Sequence, residues 1–179
     1  MSGETVGTIS DRVERLHELI EDIEVAMLTT RRRDGSLISR PMATQGRLEG
    51  AHLWFVTGEG LPKLSEIAAD PNVNLAYYKN RTKEWVSVSG VARIVRDRAK
   101  IRELYDPSWK VWFPDEGTPR DGGPDDPRIV LIAVEARSAH FMAVDKAAPV
   151  VLFESLKSMA GRRPPRVGAV TAVTGADLD

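Results

Sequence analysis

Residues 51–70 read AHLWFVTGEGLPKLSEIAAD, and this stretch decides which folds the chain can adopt. A β-favouring run, Leu53-Trp54-Phe55-Val56-Thr57, ends in Gly58-Glu59-Gly60, and a helical pattern with Leu61, Leu64 and Ala68 on one face follows at once. Pro62 falls in the first helical turn, where its missing N–H and fixed φ do no harm, and Lys63 comes directly after it. A strand that turns through glycines into a helix presents unpaired backbone N–H groups at the positive end of a dipole. That is a latent anion site, to which Lys63 adds a full charge. The plain alternative is a strand–turn–helix corner with a solvated lysine.

The segments on either side are mostly β. Upstream, Ser10 or Asp11 can cap a first helix in which Val13, Leu16, Leu19, Ile20 and Ile23 recur at helical spacing. From Glu24 the pattern changes. EVAMLTTR, the Asp34-Gly35 turn and SLISRPMATQGRLEG read as a hairpin, and with HLWFVT they predict a three-stranded meander. Downstream, Asp70-Pro71 stops the helix and Val73, Leu75 and Tyr77 alternate in a further strand. EWVSVSGVARIVR is a long strand with a bulge or bend expected at Gly90, and Asp97 can cap a helix running to Leu104 or Tyr105. Residues 106–127 form a long loop rich in Pro, Gly and Asp that carries Trp109, Trp112 and Phe113, a length that marks function in a compact domain. RIVLIAVEARSAHFMAV then reads as a buried strand, apolar on both faces at first. Six or so antiparallel runs with one inserted helix and little α/β alternation predict a mainly β (α+β) fold, an antiparallel closed or split β-barrel with capping helices. The domain is expected over 1–148. Residues 149–179 are read as a short amphipathic segment and a flexible tail.

Composition narrows the function. With 179 residues, 42% hydrophobic and 28% charged, the chain suits one soluble domain with a substantial core. A net charge of −1 gives no electrostatic case for a nucleic-acid or membrane partner. The absence of cysteine removes disulfides, thiol nucleophiles and thiolate metal sites. The acidic N-terminal stretch does not resemble a signal peptide and no apolar run is long enough to span a bilayer, so a cytoplasmic location is expected. His17, His52 and His140 fall on three different predicted elements without paired-ligand spacing, so no metal site is expected. There is no Gly-x-Ser-x-Gly elbow, no Walker A loop and no Gly-x-Gly-x-x-Gly motif. Arg31-Arg32-Arg33 before the hairpin turn is most simply a solvated turn. Arg40 differs, because it lies within a predicted strand between Ile38 and Met42 on the same face. A charge there needs either a carboxylate, for which Glu84 and Glu135 are candidates, or a bound anion.

The ordered set is similar to a known family. A strand carrying Arg40-Pro41-Met42, a strand ending Phe55-Val56-Thr57, a glycine turn, Lys63 opening a helix and Asp70-Pro71-Asn72-Val73 together resemble the FMN-binding split-barrel family. That family includes the pyridoxamine 5'-phosphate oxidases and, more similar here, the bacterial general stress proteins. Trp85-Val86-Ser87-Val88-Ser89-Gly90 and Trp112-Phe113-Pro114 also fit, and the resemblance covers about residues 10 to 145. It implies FMN, with FAD as the alternative, bound in a groove between two barrels of a homodimer. Arg40, Pro41 and Met42 would lie along the flavin, Val56 and Thr57 near its ring or phosphate, and Lys63 on the phosphate. Trp85 falls at another flavin-contacting position, and Trp109 and Trp112 would stack over the ring or close the site from the partner subunit. Catalytic residues are not identified. The resemblance implies a redox flavoprotein using a reduced nicotinamide or other small-molecule donor. The alternatives are a non-enzymatic flavin-sequestering stress protein, and a deazaflavin or haem protein on the same fold. Glu59 near the phosphate, Met142 in place of a tryptophan, and the lack of a paired basic residue at the helix start depart from the oxidases.

Overall fold

A computed structural model describes residues 8–144 and 170–178. Helix α1 (Ile9–Ile23) precedes strands β1 (Val25–Arg31), β2 (Leu37–Ala43) and β3 (Leu53–Gly58). Helix α2 (Pro62–Ala69) leads to β4 (Asn72–Tyr78) and β5 (Trp85–Val95). Helix α3 (Arg98–Leu104) and a short 3-10 turn (Pro107–Val111) then lead to β6 (Ile129–Met142), and β7 (Val170–Thr174) follows. The cap of α1 is Thr8 rather than Ser10 or Asp11: Asp11 donates its backbone N–H to the Thr8 side chain and returns its carboxylate to the Thr8 N–H, a capping box. Asp97 caps α3 as expected, accepting from the Ala99 N–H at 2.8 Å.

The strands form one seven-stranded antiparallel sheet in the order β2-β1-β4-β5-β6-β3, with β7 also on β6. The fold is thus the expected antiparallel split barrel with helical caps, and the sheet is not closed. The predicted meander is corrected. β3 leaves β2 and pairs with β6 from Leu53↔Val134 to Gly58↔Ile129, touching the end of β2 only through a bridge at Thr44↔Phe55. β6 makes this split possible by being 14 residues long. Its first half takes β3 and its second half takes β7, while β5 runs along its other edge. The β5–β6 register shifts between Ser89 and Gly90, the predicted bulge. A Cβ at Gly90 would meet the Glu135 carbonyl oxygen at 2.5 Å, so only glycine fits this close backbone approach.

Two cores explain the apolar run at the start of β6. Val130, Ile132 and Val134 face the barrel interior with Leu28, Phe55, Leu75 and Val88. Ile129, Leu131 and Ala133 face the other way, into a second cluster with Trp54, Ile101, Trp109 and Phe113 under α3 and the long loop. β3 alternates in the same way, Leu53 and Phe55 inward and Trp54 outward, because both of its faces are covered.

The amphipathic segment expected from residue 149 lies outside the described residues. At the chain end the sequence suggests no regular structure, yet Val170–Thr174 pairs with Ser138–Met142 and a 3-10 turn follows at Gly175–Asp177. Val173 is buried in the barrel core and Leu178 packs against it. Val173→Ala removes two buried methyl-sized groups, so its expected cost is about 1.5–2 kcal/mol. Urea unfolding followed by circular dichroism reads this directly, and an unchanged midpoint would show that β7 adds nothing to the core.

A cationic groove at the end of the barrel

One end of the barrel interior is polar. On β1 and β2 the inward positions Thr30 and Arg40 stand above Leu28 and Met42, and α2 brings Glu66 down onto them. Arg40 Nη2 donates to Glu66 Oε2 at 2.6 Å, Arg40 Nη1 donates to Thr30 Oγ1 at 2.8 Å, and Thr30 Oγ1 donates to the same Glu66 oxygen at 2.7 Å. The carboxylate that Arg40 requires is therefore Glu66. Glu84 instead accepts from Arg15, Thr82 and the Val144 N–H, and Glu135 is exposed. Arg32 approaches Glu66 Oε1 at 3.7 Å and Arg31 approaches Asp70 at 3.5 Å, both from exposed positions, so the arginine run is the solvated turn expected, with two of its charges reaching the acids of α2 and its C-cap. Burial pushes the Glu66 carboxyl up, but the bonds from Thr30 and Arg40 and the charges of Arg40 and Arg32 outweigh it and hold its pKa below the usual 4.5.

Lys63 completes the cluster. It is half-buried, and its Nζ donates to Thr57 Oγ1 at 3.0 Å and lies 3.5 Å from Met42 Sδ. Among the described residues no carboxylate comes within salt-bridge distance of it. Burial, then the neighbouring Arg40, pull its ammonium below the usual 10.5, with Glu66 opposing. Around one buried carboxylate there are thus three cations, Arg32, Arg40 and Lys63, a local excess of two positive charges. Leu61 caps α2 without any side-chain bond, so its first-turn N–H groups add a positive end to the same corner.

From this corner a groove of about 460 Å³ runs outward, a volume typical of small-molecule sites. Pro41, Met42, Val56, Thr57, Lys63 and Trp112 line it, six of the nine residues singled out in the sequence. Arg40 is not one of the wall residues, but its side chain stays 19% exposed and its charge is felt by Lys63, which is one. Trp112 is 78% exposed beside the groove. Trp109 does not line it: the ring is buried in the second core, edge-on to Tyr105 at 5.5 Å, with Nε1 donating to Gln45 Oε1 at 2.9 Å. Trp85 also lies elsewhere, half-buried at the start of β5 between Tyr78 and Met142.

The long loop forms the outer wall. Asp126 is fully buried and accepts from the N–H groups of Gly122 and Arg128 and from the Arg128 guanidinium, with Nη2 at 2.6 Å. Those bonds, the Arg128 side chain first, hold its pKa down at about 2. Arg128 in turn donates to the carbonyls of Pro114 and Arg120 and pairs with Glu116. Glu59, the acid expected to oppose a bound anion, is held by a bidentate bond to Arg96 at 2.8 Å. Glu66, Thr30 and Arg128 are not among the residues that the sequence singles out. For Glu66 there was a usable signal, an acid on the inward side of the helix that Lys63 opens. Among the described residues no histidine and carboxylate groups gather as a metal site, and no helix is long and apolar enough to cross a membrane.

The model of the pyridoxamine 5'-phosphate oxidase-like family matches residues 11–165. Protein bli-3 of Neurospora crassa is 35% identical over 136 residues, which is 74% of this chain; the chain spans about 65% of the length of that curated relative. Among solved structures, general stress protein 26 from Jannaschia sp. CCS1 superimposes with a TM-score of 0.71 at 23% identity, over 92% of this chain and 99% of that one. A pyridoxamine 5'-phosphate oxidase-related, FMN-binding protein from Nostoc punctiforme gives 0.56 at 21% identity, over 79% and 86%. At these identities the solved structures show a shared fold.

Proposed function

Because the chain belongs to the pyridoxamine 5'-phosphate oxidase-like family, we propose that it is a flavoprotein of the general-stress type that binds FMN in this groove and exchanges electrons with a reduced nicotinamide or other small molecule. The observation that carries the reading is the excess of two positive charges around Glu66. A phosphate monoester bears about −1.5 to −2 at neutral pH, matching that excess. The two phosphates of FAD carry about one charge each and lie mid-molecule, so the cluster favours FMN over FAD. The residues present fit the group. Lys63 and Arg40 supply the cationic end, and Pro41, Met42, Val56, Leu61, Trp112 and Phe113 supply apolar surface for a ring system.

When bound, flavin supplies reversible electron-pair transfer, and the protein's task is binding, orientation and exclusion of water. Lys63 and Arg40 hold the charged end, the strand residues Val56 and Thr57 form the floor, and Trp112 stands ready to cover the ring. Glu59 stays ionised on Arg96 and so exchanges no proton at neutral pH. The test is direct. The purified protein should be yellow, release FMN on denaturation, and oxidise NADH or NADPH in the presence of an acceptor. Failure to take up added FMN would overturn the reading, whereas FMN uptake without turnover would leave a flavin-sequestering protein.

The same family reading includes a homodimer, and the outer face of the sheet supports it. Register aligns Pro41, Met27 and Ala76 in one row across β2, β1 and β4, and Tyr78, Trp85, Met142 and Val170 in the next across β4 to β7. Met27, Tyr78 and Val170 are 42%, 57% and 62% exposed, apolar residues where the outer face of an antiparallel sheet is ordinarily polar and solvated, as expected of a face that meets a partner. Pro41 and Ala43 belong both to this face and to the groove, so a second copy seated here would border the flavin and could bring its Trp85 to it. Wild type should therefore scatter light as a dimer at micromolar concentration, and Met27→Glu, which places a charge at the centre of the face, should yield a monomer. A monomeric, flavin-loaded wild type would exclude this interface.

A further inference from the structure

The geometry at Glu66 is more specific than charge balance requires. Its Oε2 accepts both from Thr30 Oγ1 and from Arg40 Nη2, while Arg40 Nη1 donates to Thr30 Oγ1, at 2.7, 2.6 and 2.8 Å respectively. Three side chains from β1, β2 and α2 thereby close a ring in which each touches the other two. The ring also fixes direction. Thr30 must donate to Glu66, because an ionised carboxylate only accepts, and this leaves the Thr30 oxygen to accept from Arg40. Arginine carries five N–H donors in a rigid planar fork, so anchoring two of them settles where the other three point. Arg32, by contrast, reaches only the opposite oxygen, at 3.7 Å from an exposed position, and adds charge without direction. The ring is buried: Thr30 and Glu66 are 1% and 8% exposed.

We infer that Glu66 and Thr30 are positioning residues that lock the Arg40 guanidinium beside Lys63, so that the two cations form a preset cradle for the ligand's phosphate. This rests on the FMN reading above and assigns to α2 and β1 a part in ligand selection. It differs from a role in charge balance alone. A balancing carboxylate opposes an incoming anion, and removing its charge can only help binding; a positioning carboxylate matters through where its oxygen sits.

Two substitutions separate these roles. Glu66→Gln keeps an oxygen where Oε2 stands and loses the charge. Glu66→Asp keeps the charge and draws the oxygen back by one methylene, which opens the ring. Wild type and both variants are titrated with FMN and with riboflavin, which lacks the phosphate, following flavin fluorescence, and each apo protein is melted in parallel. Positioning requires E66Q to keep or exceed the wild-type preference for FMN, and E66D to lose about tenfold of it, the loss of one charge-assisted bond. Thr30→Val, which removes one corner of the ring without changing charge or volume appreciably, should lose several-fold of the same preference and covers the case in which E66D does not fold. Wild-type preference in E66D or in T30V would overturn the inference while leaving the FMN reading intact, as would loss of preference in E66Q. Equal affinity of wild type for FMN and riboflavin would instead overturn the FMN reading itself, and the inference with it.

Discussion

Lys63→Ala lowers FMN affinity by about ten- to a hundredfold and leaves riboflavin affinity nearly unchanged, the expected loss of one charge-assisted bond of roughly 1.5–3 kcal/mol. The effect is confined to the phosphate because, among the described residues, no acidic side chain pairs with Lys63 and would be stranded by its loss. It donates to Thr57 and Met42 and is otherwise poised beside Arg40, which repels it. Apo stability should therefore move by less than about 1 kcal/mol, with the lost contacts offset by relief of that repulsion. Burial and Arg40 hold the Lys63 ammonium below its usual 10.5, so the preference for FMN also fades at a lower alkaline pH than an ordinary lysine would allow. Titrations of wild type and variant with both flavins at two pH values read all of this. Unchanged FMN affinity in the variant would return Lys63 to the role of an ordinary lysine at a helix start.

Arg40→Ala is expected to act on the fold as well as on the ligand. Its removal strands the Glu66 carboxylate, 9% exposed, with Thr30 and the distant Arg32 for company. Breaking a buried pair from one side costs about 3–5 kcal/mol, and the partly exposed guanidinium places this case at the lower end, about 3 kcal/mol. For a domain of this size that lowers Tm by roughly 6–12 °C. The pH dependence identifies the cause. In wild type the folded Glu66 pKa lies below its unfolded value, so its contribution is complete above the ordinary 4.5 and is lost as pH falls through the folded value. In the variant the carboxyl can take a proton once the pH is low enough, so the gap between variant and wild type is widest near neutrality and narrows below about pH 4–5. Thermal melts at pH 7 and pH 4 measure that gap, and a gap that stays constant would point to lost packing instead of a stranded charge.

The sequence made individual elements legible where local chemistry is decisive. Gly90 falls at the bulge, Asp97 caps its helix, Val73, Leu75 and Tyr77 face the core, and the doubly apolar start of β6 is covered on both sides. It misled where distance in the chain decides. HLWFVT follows a hairpin and looks like its third strand, yet it crosses to β6, because Leu53 and Phe55 belong to one core and Trp54 to another. The need of Arg40 for a partner could be read from its apolar neighbours, but not that Glu66 would be the partner, since only the docking of α2 brings the two together. Trp109 and Trp112 look alike in a loop three residues apart. The 3-10 turn buries one and leaves the other bare, and no spacing rule separates them. The last strand is not legible in the sequence because small residues such as Ala172 and Val173 carry little pattern until a vacant edge of β6 receives them.

The bond between Asp126 and Arg128 has a kinetic meaning. One carboxylate and one guanidinium gather the backbone at residues 114, 120 and 122, so a loop rich in glycine and proline is already in place before any ligand arrives. Its ordering is met during folding and not again at each encounter. Capture should then be a single collision step, with an observed rate that climbs in proportion to flavin concentration and shows no plateau. What differs between flavins would be how long each one stays.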